Sequence, residues 1–103
     1  MINKERISDL IESGEILISH HARVRMFERN VSTDDLIALI LSGEIIEMYP
    51  DDEPCPSVLI MGSIETVVYH TVIAVCMDHI RVITVYIPEK NKWIEYRRRR
   101  IES

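Results

Sequence analysis

The chain is poor in the residues that mark special classes of protein. It has two cysteines, three glycines, four prolines, one tryptophan and one phenylalanine in 103 residues. Two cysteines without a CxxC or Cys-His spacing leave no zinc knuckle and no disulfide framework to read. Few glycines and prolines, with no low-complexity stretch and no fixed-period repeat, argue against a disordered, collagen-like or solenoid chain. No apolar run approaches the ~20 residues that span a bilayer. The start, Met1-Ile2-Asn3-Lys4-Glu5-Arg6, lacks the apolar core of a signal peptide. The expectation is a cytosolic protein with reduced thiols and no membrane partner, in which Cys76, inside the run Val72 to Met77, is a small core residue.

Apolar residues make up 47% of the chain, enough to fill one core without disulfides or metal, and the length suits a single domain over residues 1–103 with a tail from about residue 97 left loose. Net charge is −5, unevenly spread. Residues 1–55 hold twelve acids against five Lys or Arg, and residues 56–103 hold five against seven, four of them the run Arg97 to Arg100. A polyanion therefore docks on local positive charge or not at all.

Ile7, Leu10 and Ile11 have the spacing of one helical face, so residues 2–13 are expected to form a helix that Gly14 stops. A short extended piece, Ile16-Leu17-Ile18, leads to Ser19, the cap of a second helix from about His20 to Asn30. Ser32-Thr33-Asp34-Asp35 is close to a capping box and opens a third helix that Gly43 ends. Strands are expected at Ile45 to Tyr49, Val58 to Met61, Thr66 to Met77 and Ile80 to Ile87, with Asp51 to Pro56 a surface loop. Helices first and strands after them give an α+β fold, with N-terminal helices packed on a four-stranded antiparallel sheet. A two-residue turn at Asp78-His79 makes opposed residue numbers sum to 157, so that His70 faces Ile87 and lies on the other side of the sheet from Tyr86; a three-residue loop or a bulge reverses that.

His21, Arg25 and Arg29 fall at i, i+4 and i+8 on the second helix, one side of it, with Glu28 nearby. Histidine moves protons near neutral pH, and arginine holds a phosphate with two hydrogen bonds. A solvated polar stripe has the same pattern. His70, inside Val67 to Ile73, needs partners if buried, as a structural or a catalytic histidine. Tyr86 ranks below it. Trp93 beside Arg97 and Arg98 suits base stacking and phosphate neutralisation, or a solubilising tail. His20, His21, His70 and His79 have no zinc spacing, so no metal is expected.

The segment His21-Ala22-Arg23-Val24-Arg25-Met26-Phe27-Glu28-Arg29 resembles the pattern His-Ala-x-x-Arg-Met-x-x-Arg of a widespread family of small prokaryotic proteins described as a domain of unknown function. Ile45 to Pro50, Pro56 to Gly62, His70 at the head of its valines, and Ile83 to Pro88 before Trp93 fit the same family, over about residues 15 to 98. The resemblance implies a RelE/MqsR-like ribonuclease toxin fold, an RNA substrate, and a partner antitoxin of the MqsA type. It implies a metal-independent mRNA interferase in which His21 or His70 is the base on the ribose 2′-hydroxyl, and Arg25 and Arg29 together, or else an arginine near Arg97, stabilise the phosphorane, with Tyr86 among the catalytic side chains. The alternative is a non-catalytic protein-interaction module of the same fold. A homodimer through a sheet edge or the arginine-rich tail is left open.

Overall fold

The computed structural model describes residues 2–99. Helix α1 (Lys4–Glu12) is capped by Asn3, whose side chain accepts from the Arg6 amide, and it buries Ile7 and Ile11. Strand β1 (Ile16–Ile18) leads to α2 (His20–Arg29), capped by Ser19 and ended by Asn30 in the left-handed conformation at φ 57°. Helix α3 (Thr33–Ser42) opens on a capping box: the Ser32 hydroxyl accepts from the Asp35 amide, and the Asp35 carboxylate accepts from the Ser32 amide. Strands β2 (Glu44–Tyr49), β3 (Ser57–Ile64), β4 (Val67–Val75) and β5 (Ile80–Tyr86) follow, then the short pair β6 (Trp93–Ile94) and β7 (Arg98–Arg99). No helix among the described residues is long and apolar enough to cross a membrane.

The expected α+β class holds, but the sheet is five-stranded and mixed rather than four-stranded and antiparallel. Its order is β1-β5-β4-β3-β2, and β1 pairs parallel with β5 from Ile16↔Ile80 to Ile18↔Val82. A three-residue segment is too short to display a strand period, which hides it in the sequence. The helices cover one face, where Val58, Ile60, Tyr69, Ile73, Val75, Ile80, Val82 and Val85 meet Ile7, Ala22, Met26, Leu36, Leu39 and Ile40. Lys4 fastens α1 to the end of α3 by donating to the carbonyls of Ile40, Leu41 and Gly43. Burial lowers its pKa, since the charged form loses hydration there.

The β4–β5 register also differs from the two-residue turn. Val75 pairs with Ile80 across a four-residue loop, Cys76 to His79, closed by the Cys76 amide on the His79 carbonyl at 2.9 Å. A bulge then places the extra residue Ile83 between Val82, opposite Ile73, and Thr84, opposite Val72. The Thr71 hydroxyl donates to the Thr84 carbonyl at 2.9 Å beside it. Beyond the bulge His70 stands directly opposite Tyr86, so the two share the face away from the helices.

The cysteines are not the reduced pair expected. Cys55 and Cys76 form a disulfide with Cα atoms 5.2 Å apart, tying the β2–β3 loop to the β4–β5 turn, and Cys76 is only half-buried. A cytosolic location loses the support that reduced thiols gave it.

Gly43 sits where α3 meets β3. A Cβ there would lie 2.5 Å from Ile60 Cγ2 and 2.7 Å from the Leu39 carbonyl oxygen. The backbone oxygen cannot swing away as a side chain can, so Gly43→Ala should cost about 1–3 kcal/mol. An unchanged denaturation midpoint would show that α3 and β3 are not in this close contact.

Candidate functional site

Beyond Val82, β5 is no longer covered by β1, and α2 packs alongside it. Ala22 and Met26 turn into the core, which leaves His21, Arg25 and Arg29 along the open flank of the same helix. These three line a cleft of about 390 Å³ together with Thr84, Tyr86, Ile87, Glu89, Lys92, Trp93 and Arg99. Four cations and one histidine meet one carboxylate there, in a chain of net charge −5.

His21 Nε2 lies 3.1 Å from Thr84 Oγ1. In the tautomer that donates to this hydroxyl, Nδ1 is left bare as a base. Arg25 reaches Glu28 at 3.4 Å with both side chains about half exposed, and Lys92 reaches Glu89 at 3.8 Å. Pairs this exposed contribute little and yield to a ligand that offers a better acceptor.

His70 lies beneath the cleft, with no exposed surface. Its Nε2 meets the Tyr96 carbonyl, an acceptor only, so this nitrogen carries the proton. Its Nδ1, 3.2 Å from the Tyr86 hydroxyl, is therefore the acceptor, and the hydroxyl donates to it. Edge-to-face contacts with Tyr86 (centroids 5.3 Å apart) and Trp93 (4.5 Å) complete its surroundings. His70 thus holds Tyr86 in place and does not itself reach the cleft, whereas Tyr86, ranked lower from the sequence, lines it. Burial raises the pKa of Tyr86, which keeps it a neutral phenol.

Burial lowers the pKa of His70, outweighing the Tyr96 carbonyl and Glu47, which favour the imidazolium. The unfolded chain takes up this proton near the ordinary value of 6.5, and the folded chain only at lower pH. Stability from the neutral, buried ring is therefore complete above pH 6.5 and is lost as pH falls through the folded pKa. Wild type should show a denaturant midpoint that falls as pH drops below the ordinary value of 6.5, a fall that His70→Gln lacks. Identical slopes in the two proteins would rule out a buried neutral His70.

The C-terminal pair β6–β7 lies over this face. Trp93 is 4% exposed, between His70 and the Arg99 guanidinium, whose Cζ is 4.6 Å from the ring centroid. Its ring is covered and is not an open stacking platform. Arg97 bonds Glu44, and Arg99 grips both oxygens of Glu47, Nε to Oε2 at 3.0 Å and Nη2 to Oε1 at 3.1 Å. Glu47 also takes the Tyr49 hydroxyl. Arg98 is exposed. Of the arginine run, Arg99 alone among the described residues lines the cleft; Arg100 lies outside them. Alternation along β7 puts Arg99 opposite Trp93, a register that four identical side chains in a row cannot disclose. Thr84 and Lys92 also escaped the sequence reading; Thr84 depends on the bulge.

The matched family region opens one residue before the α2 cap and ends one residue after β5, so it includes His21, Arg25, Arg29, His70, Thr84 and Tyr86 and stops short of the β6–β7 strap. No curated protein and no solved structure matches the chain. Over residues 18–87 the chain matches the family described as Domain of unknown function (DUF4258), and it belongs to that family.

Proposed function

We propose that the cationic cleft takes the phosphodiester backbone of RNA and that the protein is a metal-independent ribonuclease toxin of the RelE/MqsR-like kind, neutralised by a partner antitoxin. The observation that supports this best is the meeting of His21 with Arg25, Arg29, Lys92 and Arg99 in one cleft of an acidic chain. Phosphate binding needs such local charge, and general-base chemistry needs a histidine beside it.

On this reading His21 Nδ1 takes the proton of a ribose 2′-hydroxyl. The 2′-oxygen attacks the adjacent phosphorus, the bond to the 5′-oxygen breaks, and that oxygen takes a proton from solvent, leaving a 2′,3′-cyclic phosphate. Arg25 and Arg29 stabilise the charge that builds on the phosphorane oxygens. Tyr86 has its proton committed to His70, so its oxygen offers lone pairs to the ribose. His70 is a positioning residue in this scheme.

Induced expression of wild type beside His21→Ala tests it: growth arrest and fragmented transcripts are expected in wild type and in neither respect in the variant. Equal growth and intact RNA in both would favour the second reading, a non-catalytic interaction module. The observation that speaks for that reading is an exposed apolar pair one turn apart on α2, Phe27 (89% exposed) and Val24 (43%).

A further inference from the structure

A second, larger cleft of about 560 Å³ opens on the same face of the sheet. The cross-strand row Ser57, Ala74, Arg81 runs along its floor, and the row Met61, His70, Tyr86 runs beneath the cationic cleft. The two rows are four residues apart along β3, about 13 Å at the rise of a strand. Between them the clefts adjoin. Ser19 and Ile83 line the larger one, His21 and Thr84 the smaller, and the Ser19 hydroxyl donates to the Ile83 carbonyl at 3.0 Å.

The larger cleft is chemically unlike its neighbour. Pro54, the Cys55–Cys76 disulfide, Ala74 and Ile83 give it apolar walls. Its carboxylates Asp52, Glu53 and Asp78 repel a phosphate. Asp52 takes the Ser57 hydroxyl, and Asp78 takes His79 Nδ1 at 2.8 Å. Glu53 has no hydrogen bond or ion pair among the described residues, and exposed Arg81 offers a guanidinium plane of the kind that stacks on bases.

We infer that this cleft seats a nucleobase flanking the phosphate held next door, and that Glu53 selects guanine there. The inference rests on the RNA reading of the cationic cleft. A base is flat and uncharged, which suits walls that exclude phosphate, and an extended dinucleotide covers the distance between the two floors. A carboxylate only accepts hydrogen bonds. Guanine alone presents two adjacent donors on its pairing edge, N1–H and the N2 amine, to match two carboxylate oxygens. Adenine and cytosine place an acceptor beside their amine, and uracil has a single donor between two acceptors.

Short 2′-O-methyl RNA strands, which cannot be cleaved by attack of the 2′-oxygen, provide the test. One strand is all uridine; the others carry a single guanine or a single adenine. Wild type should bind the guanine strand about tenfold more tightly than either other strand. Glu53→Gln should lose that preference and keep its affinity for the all-uridine strand, while Arg25→Ala should weaken all three strands alike. Binding of all three with equal affinity by wild type overturns the base site and leaves the phosphate reading standing. So does a Glu53→Gln protein that keeps the tenfold preference. Failure of wild type to bind any strand overturns both.

Discussion

Cys55→Ser should be the most damaging single change to stability outside the core, lowering it by about 3 kcal/mol. The disulfide closes a loop whose ends are 21 residues apart in sequence, and the unfolded chain without it regains the freedom that the closed loop removes. Few other hydrogen bonds among the described residues hold the β2–β3 loop that carries Cys55. The Val75 amide donates to the Pro56 carbonyl at 2.8 Å, and the Ser57 hydroxyl donates to Asp52. For a domain of this size the loss corresponds to a melting temperature lower by roughly 10–20 °C. Wild type in excess dithiothreitol should fall to the temperature of the variant, and the variant should ignore the reductant. Wild type that melts at the same temperature with and without reductant, with two free thiols by labelling, would show that the pair is not bonded.

The second large effect is on chemistry. His21→Ala should reduce RNA cleavage by about 10²–10⁴-fold, the usual contribution of a positioned general base. Arg25→Ala should act differently, weakening both binding and turnover, because in the proposed mechanism its charge meets the phosphate before and during the reaction. His21 is exposed at the start of α2 and contributes only its bond to Thr84, so its removal leaves the core intact. A variant that loses cleavage while keeping the wild-type denaturation curve separates the catalytic role from a structural one.

The helices and the long hairpin are legible because each carries its own local signal. The Ser32–Asp35 capping box, the Gly14 stop and the β-branched runs of β4 and β5 are written in adjacent residues. What the sequence hides depends on contacts between distant segments. The parallel pairing of β1 is fixed by Ile80 to Val82, more than sixty residues away, and nothing within Ile16-Leu17-Ile18 announces it. The Ile83 bulge follows from fitting β5 beside β4, and it moves every side chain beyond it to the other face. That one residue is why Tyr86 meets His70.

The candidate site divides in the same way. The helical spacing of His21, Arg25 and Arg29 was sufficient to put them along one cleft. The burial of His70, the covering of Trp93 and the choice of Arg99 over Arg97 and Arg98 all follow from the strap, β6–β7, whose two-residue strands are too short to show a period.

The proposed activity is cleavage of RNA in the cleft between α2 and β5 without a metal ion. Purified protein is incubated with a single-stranded RNA in excess EDTA, and the products are resolved by mass. Wild type should give fragments ending in 2′,3′-cyclic phosphate, with at least a hundredfold fewer from His21→Ala at equal folded concentration. Intact RNA with wild type, or the same cyclic ends at the same rate from His21→Ala, would contradict it.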